Sequence, residues 1–104
     1  MSRIGTVGDL NARPLSDHVD IDRHTLVLAH PAEVARMLRD REVDVALVPV
    51  AAVLAEPGYR IVPGFCIGSD GPVSSVVIAA ETPPESWTRV VLDGVSRTSV
   101  VLAR

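Results

Sequence analysis

The chain has 104 residues, of which 47% are apolar, and Val, Ala, Leu and Ile supply 43 of the 49 apolar residues. Its ten basic residues are all Arg and face thirteen acids, for a net charge of −3, while Phe, Tyr and Trp occur once each. This composition excludes disorder, because ample aliphatic surface is there to offset the entropy of folding, and it excludes a general nucleic-acid binder, which needs a basic excess with stacking aromatics.

The length fits one ordinary domain, burying roughly two-thirds of the surface its unfolded form exposes. Without Lys, neither Schiff-base chemistry nor the phosphate-gripping Lys of a P-loop is available. The single Cys, Cys66, forms no internal disulfide, and its apolar neighbours predict a buried structural thiol rather than a nucleophile. Met1-Ser2-Arg3-Ile4-Gly5-Thr6 has no apolar signal core behind its Arg, and the longest apolar run, 45–55, is broken by Pro49 and too short to span a bilayer. The expectation is a cytoplasmic protein with no membrane and no nucleic-acid partner.

In chain order, Ile4–Val7, Leu26–Ala29, Val45–Val48, Val73–Ala80 and Val90–Leu92 are expected strands. They show little in/out alternation, the texture of parallel strands covered on both faces. Helix-like segments between them give class α/β. Pro31 opens one helix, with Pro31, Val34, Ala35 and Leu38 at i, i+3, i+4 and i+7 forming its apolar face. A second runs over Val50–Glu56 and stops at Pro57-Gly58. Gly64–Pro72 is a glycine-rich loop around a short strand, and Glu81–Glu85, with its proline pair, is a hinge or surface connection. Asp93–Ser99 reads as a strand-to-helix turn opening a final apolar helix at Val100–Ala103. Fewer than two turns of that helix are present, so the sequence is expected to be an N-terminal piece of a longer chain.

Three polar loops carry candidate chemistry. Asn11 follows the first strand, and in an open α/β sheet ligands bind at the carboxyl ends of strands; a turn role is the alternative. The 64–72 loop lacks dinucleotide spacing, but its glycines can turn N–H groups towards an anion. Ser96-Arg97-Thr98-Ser99 offers hydroxyls and free N–H groups at a helix start, which serve an anion or simply cap the helix. His18, His24 and His30, spaced by six, match no common ligand pattern, so no metal is expected. Taken together, the loops point to a small anionic ligand.

At these loops the sequence resembles the chorismate dehydratase family of the futalosine route to menaquinone. Arg3-Ile4-Gly5 with Leu10-Asn11-Ala12-Arg13-Pro14-Leu15 is similar to that family's opening strand and Leu-Asn-x-x-Pro-Leu motif. Ser69–Val76 is similar to its Asp-Gly-Pro-Val-x-Ser signature, and Ser96–Val100 to its Ser-x-Thr-Ser-Val helix start. The resemblance implies a type II periplasmic-binding-protein-like fold of two α/β lobes closing on a ligand. Residues 1–82 are then an incomplete first lobe, 83–88 the connection, and 89–104 the start of a truncated second lobe.

The resemblance further implies a cofactor-independent carbon–oxygen lyase that converts chorismate, a small dicarboxylate, to 3-[(1-carboxyvinyl)oxy]benzoate and water. Asn11 and Ser75 are its implied catalytic residues, and Asp70, Gly71, Thr98 and Ser99 its implied substrate-binding residues. Asp70 is the only ionisable acid in the three signatures, yet turn-shaping is its competing role, and a carboxylate of the substrate is the other candidate base. The 104-residue chain alone is expected to be marginally stable and inactive. Two other readings stand beside this one: a non-catalytic carboxylate-binding module of the same fold, and the sister dihydroxynaphthoate synthase.

Overall fold

The computed structural model describes residues 1–74, 76–92, 94 and 97–102. Three parallel strands, β1 (Arg3–Thr6), β2 (Thr25–Leu28) and β3 (Val45–Ala46), form a sheet in the order β2-β1-β3. Arg3 to Thr6 pair with Thr25 to Leu28, and Ile4 and Gly5 with Val45 and Ala46. Residues flanking the strands extend the ladder: Asp44 N–H donates to Arg3 O at 2.8 Å, Leu47 N–H to Gly5 O at 2.9 Å and Ala29 N–H to Thr6 O at 3.1 Å. Side chains fasten the entry to the central strand, with Arg3 N–H donating to Asp44 Oδ2 and Arg3 Nε to Glu42 O, each at 2.8 Å.

The crossover from β2 to β3 is α2 (Pro31–Arg39), preceded by a single turn, α1 (Arg13–Ser16), between β1 and β2. Pro31 at the first position of α2 has its φ pre-set and no N–H to leave orphaned. The expected apolar face is the one that packs: Val34 and Ala35 are buried, joined by Met37 and Val43. Gly5 makes this close approach feasible. A Cβ there would lie 3.1 Å from Val34 Cγ1 and 3.4 Å from both Ala46 Cβ and Val43 Cγ2. The centre of the core is Val7, Ala12 and Val34, with Ala29, Ala46, Leu47 and Val48 packed around it. Burial of the whole Val34 side chain contributes about 1.5–3 kcal/mol.

The C-terminus of α2 is a Schellman turn. Glu42 N–H reaches Met37 O at 2.8 Å, Arg41 N–H reaches Leu38 O at 3.2 Å, and Arg41 between them is left-handed at φ 59°. On the exposed side, Arg36 is gripped by three carboxylates: Glu33 at 2.7 Å, Asp40 at 2.8 Å and Glu42 at 2.8 Å. Hydrogen bonds from the guanidinium hold all three below the usual carboxylate range, and the same bonds push the guanidinium further up.

After β3, Pro49 opens α3 (Val50–Ala55), against which α4 (Arg97–Leu102) packs. The strands expected over 73–80 and 90–92 do not form among the described residues. A strand exists by its ladder, and within the described chain these segments have no partner; Val77, Ile78 and Val91 are 71, 65 and 84% exposed. The covering of the two sheet faces is uneven: α2 packs on the Gly5 side, Thr6 on the opposite side is 4% exposed, and Leu28 beside it on the outer strand remains exposed. Nor is Cys66 buried. Its apolar neighbours Phe65 and Ile67 are exposed with it, since the whole of 60–74 runs over the surface. The accessible surface is 8348 Å², against about 5,700 Å² for a compact chain of this mass. The radius of gyration, 16.1 Å, likewise exceeds the about 13 Å of a compact domain.

Candidate functional site

Asn11 lies in a 3₁₀ turn (Leu10–Ala12) beyond the carboxyl end of β1. The turn closes with Ala12 N–H on Asp9 O at 3.0 Å, and Ala12 itself is completely buried in the core, so its backbone is pinned. Asn11 is exposed and makes no side-chain hydrogen bond among the described residues, which leaves its amide donors and acceptor to solvent or a ligand. Because β1 and β3 are parallel neighbours, the Asn11 turn and the start of α3 leave the sheet from the same edge.

Thr98 and Ser99 occupy the first turn of α4 and are half-buried. Thr98 is tied to the sheet's carboxyl edge by α3: Ala51 N–H donates to Thr98 Oγ1 at 3.5 Å across 47 residues of sequence. Asp70 and Gly71 sit in an exposed turn. Gly71 is left-handed at φ 102°, a conformation that favours glycine, and Ser69 Oγ donates to Gly71 O at 3.0 Å. Among the described residues, no hydrogen bond or ion pair joins this turn to Asn11 or Thr98. Ser75 and Ser96 fall outside the described residues.

Ser99 also lines a cavity of about 690 Å³, within the 300–1,000 Å³ usual for small-molecule sites. The cavity lies between the apolar segments 76–80 and 90–92, and Trp87, Arg89 and Leu102 complete it. The Trp87 indole N–H bonds Thr82 O at 2.8 Å, folding the proline-rich connection into a turn at residues 82–87. Arg89 belongs to none of the three motifs. Its only signal was a lone cation at the head of the Val90–Leu92 run, and no carboxylate lies within ion-pair distance of it among the described residues. Asn11 does not line this cavity. A second cleft of about 340 Å³ runs along the sheet, lined by Thr6, Leu15, Val45, Val53, Tyr59 and Arg60 among others.

An open cleft lined by Arg89, Thr82 and Ser99 among mostly aliphatic side chains suits a small ligand that is part apolar and part anionic. Among the described residues no group of three or more His, Cys, Asp or Glu is placed to hold a metal ion, and no helix is long and apolar enough to cross a membrane.

The family model described as menaquinone biosynthesis matches residues 2–104. The chain belongs to the menaquinone biosynthesis family. It is the family that the motifs around Asn11, Asp70 and Thr98 resemble, and membership gives the chain a role in menaquinone biosynthesis. Neither a curated protein nor a solved structure matches it.

Proposed function

We propose that this member of the menaquinone biosynthesis family acts as a chorismate dehydratase, a carbon–oxygen lyase that removes water from chorismate to leave 3-[(1-carboxyvinyl)oxy]benzoate. The observation that carries the reading is the family match over residues 2–104, which contains all three signature loops in order. Of the described residues assigned to the site, only Ser99 lines the 690 Å³ cleft, beside Arg89 and aliphatic side chains; Asn11, Asp70, Gly71 and Thr98 lie outside its lining.

The chemistry is a redox-neutral elimination. A base takes the proton from the ring carbon bearing the enolpyruvyl ether, and the electron pair spreads through the adjacent double bond towards the ring carboxylate. The C–O bond to the neighbouring hydroxyl then breaks, the oxygen leaves as water after taking up a proton, and the ring becomes aromatic. Donors fixed around the ring carboxylate stabilise the charge as it develops, each by roughly 3 kcal/mol. In this reading Thr98 and Ser99 hold substrate carboxylates, Asn11 and Ser75 act on the reacting edge, and Gly71 with Asp70 shapes the loop over it. The substrate's own carboxylate is the favoured base.

The reading includes a type II periplasmic-binding-protein-like fold, in which 1–82 belong to a first lobe, 83–88 to the connection and 89–104 to a second lobe. It also includes a cytoplasmic location. Incubating the purified full-length protein with chorismate and following the aromatic product by ultraviolet absorbance and chromatography tests it. Formation of 3-[(1-carboxyvinyl)oxy]benzoate, reduced by Asn11→Ala, is the expected result. Chorismate bound but recovered unchanged overturns the dehydratase reading in favour of a binding module.

A further inference from the structure

The first turn of a helix leaves N–H groups without intrahelical acceptors, and a Ser, Thr, Asp or Asn at the N-cap ordinarily supplies one. The N-cap of α3 is Pro49, whose side chain has no acceptor, and the helix has no side-chain cap of its own. Ala52 N–H is met by Pro49 O at 3.0 Å in a 3₁₀-type bond. The N–H of Ala51, one residue earlier, is met from far away in sequence, by Thr98 Oγ1 at 3.5 Å. Both residues are half-buried, and α3 and α4 pack together around this bond.

We propose that Thr98 is a positioning residue that caps α3 from α4, clasping the final helix to the carboxyl edge of the sheet. The hydroxyl is suited to this because it accepts and donates at once. With a lone pair turned to the Ala51 N–H, its hydrogen points elsewhere and stays available as a donor. The clasp does not depend on the chorismate reading, since it concerns how the end of the described chain is fastened to its first half.

Amide hydrogen exchange of the whole chain, read by NMR, tests the clasp in the native protein, Thr98→Val and Thr98→Ser. Valine keeps the shape and removes the acceptor, while serine keeps the acceptor. In Thr98→Val the Ala51 amide is expected to exchange about fivefold faster, the usual worth of a hydroxyl cap. The Leu47 amide, bonded within the sheet, is expected to keep its native rate, and Thr98→Ser to keep Ala51 protected. An Ala51 rate unchanged in Thr98→Val overturns the proposal. So does equal acceleration of Ala51 and Leu47, which reports general loosening, or a Thr98→Ser protein that behaves like Thr98→Val. Ala51 behaving as expected in a protein that ignores chorismate supports the clasp while sinking the dehydratase reading.

Discussion

Replacing Gly5 by Ala tests whether the close approach of α2 to the sheet governs stability. The new methyl would meet Val34 Cγ1 at 3.1 Å and two further carbons at 3.4 Å, where unstrained carbon contacts lie at about 3.5–4.0 Å. Val34 is completely buried on a helix that holds its χ1 to one rotamer, and Val43 is 3% exposed, so neither has room to yield. Overpacking of this kind costs about 1–3 kcal/mol. The stiffer unfolded chain returns about 0.5–1 kcal/mol, leaving a net loss of about 1–2 kcal/mol. In urea, followed by far-ultraviolet circular dichroism, the midpoint should fall by about 1 M at an unchanged slope. The decisive control is Val34→Ala, which alone costs about 2–3 kcal/mol. In that background Gly5→Ala should become neutral or stabilising, a coupling of at least about 1 kcal/mol. Equal destabilisation by Gly5→Ala in both backgrounds would refute the steric argument.

Four further outcomes are expected. Arg41→Gly should raise stability by about 1 kcal/mol, because the Schellman turn holds a residue with a Cβ in the left-handed region; a lower urea midpoint would contradict this. Glu33, Asp40 and Glu42 are more acidic folded than unfolded, so their stabilisation is present near neutrality and is lost as pH falls below the ordinary carboxylate values of 3.8–4.5. The acid limb of the stability profile should therefore flatten in Arg36→Met and in high salt, and an unaltered limb would remove the network from the account. Arg89→Gln should weaken chorismate binding by tenfold or more, taking about 1.5–3 kcal/mol for a charge-assisted hydrogen bond, with Trp87 fluorescence as the readout; unaltered affinity would move the carboxylate site elsewhere. Cys66 should titrate with a water-soluble thiol reagent in the native protein, and a need for denaturant would contradict its exposure.

The part of the fold legible in sequence is the part whose signal is local. The spacing of Val34, Ala35 and Leu38 marks α2 on its own, and Pro31 fixes where it starts, because both act within a few residues. The aliphatic runs at 26–29 and 45–48 mark β2 and β3 within one or two residues, with β3 shortened to two. The same texture at 73–80 and 90–92 yields no strand, since hydrogen-bonded partners rather than aliphatic content make one, and partners are not written in the segment itself. Cys66 fails for a related reason: apolar neighbours report burial only when something packs on them. In the candidate site, Asn11 follows β1 as its motif implies, whereas the helix expected from Val100 begins at Arg97, which puts Thr98 and Ser99 inside its first turn. The bond between Thr98 and Ala51 and the place of Arg89 in the cavity depend on how distant segments meet.

The order β2-β1-β3 has a consequence for how the protein is made. Of these three strands, the first to leave the ribosome is the middle one, so it emerges with both edges bare and waits for the other two. Its first ladder is complete once Leu28 is available and its second once Ala46 has followed α2 across the sheet. Synthesis runs at about 5–20 residues per second, so the wait lasts seconds at most. Among the described residues the ladders of the sheet lie within the first half of the chain, which can pair before the cavity-lining second half has fully emerged.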